Sequence, residues 1–393
     1  MIFFRVIFFL LAFQFSYGQS INFSDGKAVS RNHYSEIPYT SIKNKIIIPV
    51  IINGKTYQFL LDTGAPNLIT SELKKQLGQR NAKSISVKDA NNNKSKMALT
   101  TLPVLTIGNI EFKDQTALVY ESESNIIFDC FKVDGIIGSN LFRKSILKII
   151  SKEKKIIITN SIKRVNPNKH YKSDLSLVGA QSSPYITIYL KGKKTIKESL
   201  LFDTGMDGFY DLSLKHYNIF IEEEALTKHS QGIGSVGIGL FGNAKESSQY
   251  RLKIPEINFP GATFNNIVTQ TTDDTNSRIG SKLLDYGNVI IDFKHKNFYF
   301  EPYEESVDLN EKLLGFSPTI IDNKVCIGIV WDDNLNDIMS YGDEIISVNG
   351  VDYSQTDICE LLLKKSAFKE EDSFEITIKN NEDQTNTINL TKQ

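Results

Sequence analysis

The chain has 393 residues, of which 40% are hydrophobic and 23% charged. At about 150 residues per domain, this is enough apolar material for two or three packed domains, which excludes a disordered chain. The 45 basic and 46 acidic residues nearly cancel, and this balance argues against nucleic acid as a partner, because such binding needs a clustered cationic surface. The three cysteines, Cys130, Cys326 and Cys359, permit at most one disulfide and form no zinc cluster. The five histidines have no ligand spacing, so neither a metal nor a cofactor is expected.

The N-terminus has the pattern of an export signal. Arg5 precedes an apolar run from Val6 to Phe15, and Ser16 and Gly18 are small residues suited to cleavage after Gly18. The run is shorter than the roughly 20 apolar residues of a membrane-spanning helix. We therefore predict a signal peptide over residues 1–18 and an exported bacterial protein, periplasmic or extracellular, without a membrane span; a membrane anchor is the alternative.

Short β-strands follow a polar stretch. Residues 19–42 are polar without a clear period and are assigned to an N-terminal extension. Apolar strands are predicted at Ile46–Ile52 and Gln58–Leu61. Between them lies Asn53-Gly54, a dipeptide typical of a two-residue hairpin turn.

An internal repeat is the most informative feature of the sequence. Asp62-Thr63-Gly64 returns 141 residues later (203 minus 62) as Asp203-Thr204-Gly205. The segment IGSNL at 137–141 returns as IGSKL at 279–283, an offset of 142 (279 minus 137). Such agreement predicts a duplicated β unit: lobe one over residues 43–165 and lobe two over residues 172–303, joined by a polar linker.

Each copy places one carboxylate at the end of an apolar strand. Two carboxyl groups within hydrogen-bonding distance share one proton and titrate as a unit. The charged member can then deprotonate a water while the protonated member polarises a substrate carbonyl, which hydrolyses an amide without a metal. Because Thr63 and Thr204 are short and hydroxylated, we expect each to hydrogen-bond to the backbone of the opposite lobe.

The repeated turn, with a hydrophobic-Gly segment later in each lobe, resembles the retropepsin-like and pepsin-like aspartic proteases over about residues 43–303. The resemblance implies a mostly β, bilobal protein of two β-barrel lobes in which Asp62 and Asp203 are catalytic, and an endopeptidase acting on peptide or protein substrates. One chain supplies both aspartates, so a monomer is expected. The residues expected to shape or support the two turns are Thr63, Gly64, Gly138, Thr204, Gly205 and Gly280.

The sequence departs from this family at two positions near the proposed chemistry. Met206 stands where a small or hydroxylated residue is usual, and Arg278 stands where an apolar residue is usual, which would bring a cation near the pair. Two segments are candidates for the flap that covers the cleft in such proteins: residues 87–97 (the lobe-one flap) and residues 232–243 (the lobe-two flap). The second contains a G-x-G-x-x-G match, but no buried strand precedes it, so a dinucleotide site is disfavoured.

Residues 308–393 (the C-terminal module) belong to neither copy. The loop Leu314-Gly315-Phe316 and the run YGDEIISVNG at 341–350 resemble a small α+β PDZ domain. That resemblance implies that the loop binds the terminal carboxylate of a peptide, that the next strand pairs with the peptide, and that a helix at about 356–365 lines the groove. A module that only packs against the lobes is the alternative. The helix residues expected on a buried face are Ile358, Leu361 and Leu362.

The sequence as a whole indicates a secreted aspartic endopeptidase with a peptide-binding module. A catalytically inactive peptide- or polymer-binding protein that retains the two lobes is the alternative. A glycosidase is disfavoured, because matching Asp-Thr-Gly turns should bring the carboxylates closer than the about 5 Å or more that glycoside hydrolysis uses.

Overall fold

The computed structural model describes residues 22–122, 125–364 and 367–393. The predicted signal peptide, residues 1–18, lies outside these ranges. Within them, no helix is both long and apolar enough to cross a membrane. The described chain is mostly β, as the sequence predicts.

Lobe one and the strands before it form the first β unit. Its strands are β1 (Lys27–Ala28), β2 (Tyr34–Pro38), β3 (Thr40–Ile42), β4 (Lys45–Ile52), β5 (Lys55–Asp62), β6 (Leu68–Thr70), β7 (Ser84–Lys88), β8 (Lys94–Thr101), β9 (Leu105–Ile107), β10 (Ile110–Lys113), β11 (Thr116–Tyr120), β12 (Gly135–Gly138), β13 (Ile146–Ile150) and β14 (Lys155–Thr159). Its helices are α1 (Ser71–Gln76), α2 (Ile126–Phe131) and α3 (Ser139–Phe142).

Lobe two and the C-terminal module contain the remaining elements. The remaining strands are β15 (Lys172–Val178), β16 (Ser183–Lys191), β17 (Thr195–Asp203), β18 (Tyr210–Ser213), β19 (Thr227–Gly234), β20 (Ile238–Gly239), β21 (Gly242–Asn243), β22 (Ser247–Phe259), β23 (Ala262–Thr272), β24 (Arg278–Gly280), β25 (Gly287–Asp292), β26 (Asn297–Pro302), β27 (Ser306–Asp308), β28 (Phe316–Ile321), β29 (Lys324–Val330), β30 (Glu344–Val348), β31 (Val351–Asp352), β32 (Ser373–Lys379) and β33 (Thr385–Thr391). The remaining helices are α4 (Leu214–Glu222), α5 (Ile358–Leu363) and α6 (Ala367–Glu370).

The hairpin predicted around Asn53-Gly54 is confirmed. Strands β4 and β5 pair antiparallel with Ile52 opposite Lys55, which leaves a two-residue turn. Asn53 and Gly54 have φ angles of 51° and 78°, the left-handed values that this turn needs and that Asn and Gly adopt most easily. The turn returns β5 along β4, so that β5 runs into Asp62.

The two halves of the repeat join through one antiparallel sheet, the interlobe sheet. Its strand order is β2-β14-β13-β25-β26-β15. The equivalent strands β13 and β25 lie side by side at its centre, with Leu147 opposite Ile291. Beneath them Phe142 and Phe293 stack with ring centroids 6.0 Å apart. One hydrophobic core therefore continues from lobe one into lobe two, which holds the two repeated turns in a fixed relation.

The N-terminal extension is more regular than its sequence indicates. Within residues 19–42, which have no clear period, the structure contains β1, β2 and β3. Strand β2 is an outer strand of the interlobe sheet, where Ile37 pairs with Ile156 and is buried. The strand is short and its apolar positions are few, so its pairing partner rather than its own pattern decides its conformation.

The C-terminal module has its own hydrophobic core, which includes Phe316, Ile345 and Phe374. The predicted position of its helix is close to α5, but the predicted contacts are wrong. Ile358, Leu361 and Leu362 are only partly buried, and Leu362 packs against an apolar cluster of lobe one rather than against the module core. Cys359 in α5 forms a disulfide with Cys130 in α2. The helix is therefore attached to lobe one.

Candidate active site

The two Asp-Thr-Gly turns occupy equivalent places in the two lobes. Asp62 ends β5 and pairs with Gly138 of the parallel strand β12, while Asp203 ends β17 and pairs with Gly280 of β24. A Cβ atom on Gly138 would lie 2.3 Å from the carbonyl oxygen of Ala65, and one on Gly280 would lie 2.3 Å from a lobe-two carbonyl oxygen. Each turn therefore lies directly against the backbone of a glycine.

The two threonines join the turns across the lobe interface. Thr63 Oγ1 donates a 2.6 Å hydrogen bond to the carbonyl of Phe202 and accepts one of 3.0 Å from Thr204 N. Thr204 Oγ1 does the same in reverse, donating at 2.8 Å to Leu61 O and accepting at 3.0 Å from Thr63 N. Both threonines are fully buried. These four bonds satisfy buried backbone groups of both lobes and hold the turns face to face.

The carboxyl groups of Asp62 and Asp203 lie within hydrogen-bonding distance of each other. Asp62 Oδ1 accepts from the N–H groups of Gly64 and Ala65 at 2.9 and 3.1 Å, whereas Asp203 Oδ1 accepts from Gly205 N at 2.9 Å. There is no room for a side chain at either glycine: a Cβ atom on Gly64 would lie 2.6 Å from the carboxyl carbon of Asp203. Each glycine thus allows the opposite aspartate to approach.

Asp62 holds a proton tightly. Burial, the negative charge of Asp203 and the hydrogen bond to Asp203 raise its pKa from 3.8 to about 8, against the opposing effects of Lys45 and the Gly64 N–H group. Burial disfavours the charged form of a carboxyl group, and a second carboxylate nearby disfavours it further. Asp62 therefore keeps its proton to a higher pH than an ordinary carboxyl group, as the acid member of such a pair must.

Two cations flank the pair. The guanidinium of Arg278 is 3.5 Å from Asp203 Oδ2 and also lies near the carboxylates of Asp211 and Asp274, at 3.5 and 3.8 Å. On the lobe-one side, Lys45 Nζ donates to the carbonyl oxygen of Gly205. The sequence indicates Arg278 through its departure from the family pattern. No sequence signal indicates Lys45, because its position at the start of β4 becomes significant only when the lobes meet.

Met206, the other departure, lines the cleft next to its turn. Its side chain is buried, its backbone N–H donates to the backbone carbonyl of Asp203 at 3.2 Å, and its own carbonyl accepts from Ser281 N and Oγ, both at 2.8 Å. The backbone of Met206 thus links the second turn to the residue that follows Gly280.

The pair opens into a cleft of about 820 Å³ between the lobes. Its lobe-one wall is largely apolar and includes Leu118, Phe128 and Ile136, while its lobe-two wall is more acidic and includes Asp207 and Asp211. A peptide backbone and side chains of different character can fit between such walls.

The two flap segments meet over this cleft. The lobe-one flap comprises the end of β7, the turn and the first part of β8. Asn91 Nδ2 donates to the carbonyls of Gly237 and Gly242 at 3.0 Å, and Phe241 N donates to Asp89 Oδ2 at 2.9 Å. The G-x-G-x-x-G match therefore lies in a cleft cover.

The predicted peptide-binding loop of the module lies elsewhere. Leu314, Gly315 and Phe316 are absent from the cleft lining, and Phe316 is buried in the module core. The carbonyl of Leu314 accepts a 2.7 Å hydrogen bond from Arg251 of lobe two, whose guanidinium stacks 4.7 Å from the ring centre of Trp331. The loop is thus joined to lobe two.

Comparison with known proteins gives a family match for lobe one. Residues 48–141 match the family described as aspartyl protease, a range that contains Asp62 and Gly138. The fold search matches an aspartic proteinase from Irpex lacteus, at 12% identity, over 70% of this chain and 98% of that chain, with a TM-score of 0.43. It also matches a retropepsin-like aspartic protease from Rickettsia conorii, at 21% identity, over 34% of this chain and 95% of that chain, with a TM-score of 0.25. No curated protein matches the sequence significantly. Lobe one is therefore similar to aspartyl proteases in sequence.

Proposed function

We propose that this protein is an aspartic endopeptidase in which Asp62 and Asp203 activate a water together. The observation that carries the proposal is the pair of carboxyl groups within hydrogen-bonding distance at the base of a peptide-sized cleft. The aspartyl protease match over lobe one supports it.

The chemistry requires no group beyond the two carboxyls and a water. One carboxylate takes a proton from the water while the water oxygen attacks the peptide carbonyl carbon. The other carboxyl group donates its proton to the carbonyl oxygen. In the second stage the C–N bond breaks, the nitrogen takes the proton gained by the first carboxyl, and a hydroxyl of the intermediate returns a proton to the second. The pair ends in its starting state.

The direct test is cleavage of a denatured protein across pH 3 to 8 by wild type, Asp62→Asn, Asp203→Asn and the double variant. Each single substitution should abolish cleavage, and the double variant should be no worse, because the pair acts as a unit. A statine-type inhibitor should stop the wild-type reaction. Near-normal turnover in either single variant would exclude the shared-proton mechanism.

The same assay distinguishes the first competing function, and the geometry of the site distinguishes the second. A catalytically inactive protein that uses the cleft for binding would bind the denatured substrate without cleaving it. For a glycosidase the carboxyl groups lie too close, since such enzymes keep them about 5 Å or more apart. Burial of both threonines in bonds that bring the aspartates together favours the peptidase.

Export is part of the proposal. The disulfide between Cys130 and Cys359 supports it, because disulfides persist in oxidising compartments and are rare in the cytosol. N-terminal sequencing of the mature protein is the test: a first residue at 19, just after Gly18, is expected, and an intact Met1 would contradict it.

We also propose that the C-terminal module binds peptide C-termini at strand β28, as a PDZ domain would, and so recruits substrate. Strand β28 pairs with β29, and no other described strand pairs with its second edge. The two-residue turn at 322–323 makes Ile321 and Lys324 a hydrogen-bonded pair, so Pro318 and Ile320 turn their backbone groups to that free edge.

Two features of this edge limit such binding. Pro318 has no N–H to donate, so an added strand forms one hydrogen bond fewer than usual. The carbonyl of Ile320 already accepts a 2.6 Å hydrogen bond from Asn243 Nδ2 of the lobe-two flap. A bound peptide therefore competes with Asn243 for this carbonyl, which couples the module to the flap.

Fluorescence anisotropy on the full chain tests the recruitment. Peptides with a free C-terminus should bind, their C-terminally amidated forms should not, and Asn243→Ala should tighten binding by removing the competitor. Equal affinity for the free and amidated forms would contradict this proposal and favour a module that only packs against the lobes.

A further inference from the structure

Strands β12 and β24, which support the two turns, differ at one position beside the pair. In the parallel pairings that support the turns, Ile136 of lobe one lies opposite Leu60, and Arg278 of lobe two lies opposite the equivalent Leu201. The strand pairing under the two turns is therefore the same, but only lobe two has a charged residue at this position. Arg278 is largely buried, with 12% of its side chain exposed, so its charge acts on the pair with little screening by solvent.

Arg278 is held in place by carboxylates of lobe two. Asp211 faces its Nη2 atom, and Asp274 lies near the Nη1 atom that also faces Asp203. Asp207 adds a negative charge near Asp211. Because a guanidinium does not lose its proton in proteins, this cation is permanent.

The environment of Asp62 is different. Its cation is Lys45, which binds the carbonyl of Gly205, and its other donors are the two peptide N–H groups already described. Asp62 has one more peptide N–H donor than Asp203, but a full charge 3.5 Å from Asp203 outweighs one additional neutral donor.

We propose that Arg278 is a positioning residue that divides the roles of the pair: Asp203 carries the negative charge and acts as the general base, and Asp62 holds the proton and acts as the general acid. This assignment rests on the proposed peptidase function. In the first step Asp203 takes the proton from the water, and Asp62 gives its proton to the peptide carbonyl oxygen. In the second step Asp203 gives that proton to the leaving nitrogen as the C–N bond breaks, and Asp62 recovers one from the intermediate.

Protonation of the neighbouring carboxyl groups strengthens this assignment of base and acid at acidic pH. Burial raises the pKa of Asp211 to about 6, despite the opposing effect of Arg278, and burial also raises the pKa of Asp274. As the pH falls, these two carboxyls become neutral and stop competing for the guanidinium. More of the charge of Arg278 then acts on Asp203, which extends the ionised form of the pair to lower pH.

The first test is the pH profile of kcat/KM for wild type, Arg278→Met and Arg278→Lys. Arg278→Met keeps a long side chain without its charge, so the acid limb should move upward by about one pH unit or more. Arg278→Lys, which keeps the charge, should restore most of the wild-type profile. An unchanged acid limb in Arg278→Met, or an equal fall in activity at every pH, would overturn the assignment.

A second measurement does not depend on the folding of an Arg278 variant. Carboxyl-carbon NMR of wild-type protein labelled at aspartate Cγ, assigned with Asp62→Asn and Asp203→Asn, reports each protonation state directly. At pH 6 the Asp62 signal should be at the protonated position and the Asp203 signal at the ionised position. The reverse order, or two intermediate signals, would overturn the proposal.

The two proposals fail in different ways. If wild type shows no cleavage that depends on both aspartates, the peptidase function is wrong. If it cleaves but its Arg278→Met profile is unchanged, only the division of roles is wrong.

Discussion

Asn at position 62 should stabilise the protein, and increasingly so as the pH rises. The carboxyl of Asp62 has a pKa of about 8 in the folded chain and 3.8 ordinarily. Between these values the folded state binds more protons than the unfolded state, so the wild-type free energy of unfolding falls as the pH rises from about 4 to 8. The amide of Asp62→Asn is neutral at every pH, so the variant does not lose this part of its free energy of unfolding.

The size of the effect follows from the two pKa values. They differ by about four pH units, each of which corresponds to about 1.4 kcal/mol, so the variant should gain about 5 kcal/mol over wild type at pH 8 and almost nothing at pH 4. Asp211, with its pKa raised to about 6, lowers the stability of both proteins between about pH 4 and 6. The difference between the two proteins therefore isolates Asp62.

Urea unfolding at pH 4, 5, 6, 7 and 8 measures this difference. Circular dichroism is the suitable signal, because the only tryptophan, Trp331, lies in the C-terminal module. Asp337→Asn, at an exposed position of the same module, is the control and should leave the pH dependence unchanged. If wild type and Asp62→Asn lose stability in parallel from pH 4 to 8, the burial and charge argument for Asp62 is refuted.

Four further substitutions test the supports of the site and the disulfide by the same unfolding assay. Thr63→Val keeps the shape but leaves two buried backbone groups of lobe two without partners, which should cost about 2–4 kcal/mol; a loss below about 0.5 kcal/mol would contradict the role of the interlobe bonds. Gly138→Ala brings a Cβ atom 2.3 Å from Ala65 O and should cost more than about 3 kcal/mol, and a stable, active variant would contradict the close packing under the turn. Cys130→Ser opens a disulfide that joins positions 229 residues apart and should lower the free energy of unfolding by up to about 5 kcal/mol. Cys359→Ser and the reduced wild-type protein should show the same loss. An unchanged stability on reduction would contradict a stabilising role of the disulfide.

The repeated turns were predictable because their chemistry is local. A tight turn that ends an apolar strand needs a short polar residue and a glycine. Both lobes have such a turn, so the same motif occurs twice in the sequence. Asp62, Asp203 and the glycines that support them are therefore readable from spacing. The hairpin at Asn53-Gly54 is readable for the same reason, since few residues adopt its backbone angles.

The rest of the site depends on residues that are distant in sequence and carry no local pattern. Lys45 approaches the pair only because lobe one faces Gly205 of lobe two. The pairing of Cys130 with Cys359, rather than with Cys326, depends on α5 packing against lobe one. Three cysteines permit three pairings, and sequence does not distinguish them.

The sequence by itself determined the duplication, the mostly β character and the two turns with their carboxylates, because a repeat and a tight turn constrain residue type at fixed positions. Tertiary structure alone decided how charge is distributed around the pair and which surface α5 covers. Coulombic interactions and apolar packing depend on distances in space, and those distances arise only when both lobes and the module are assembled.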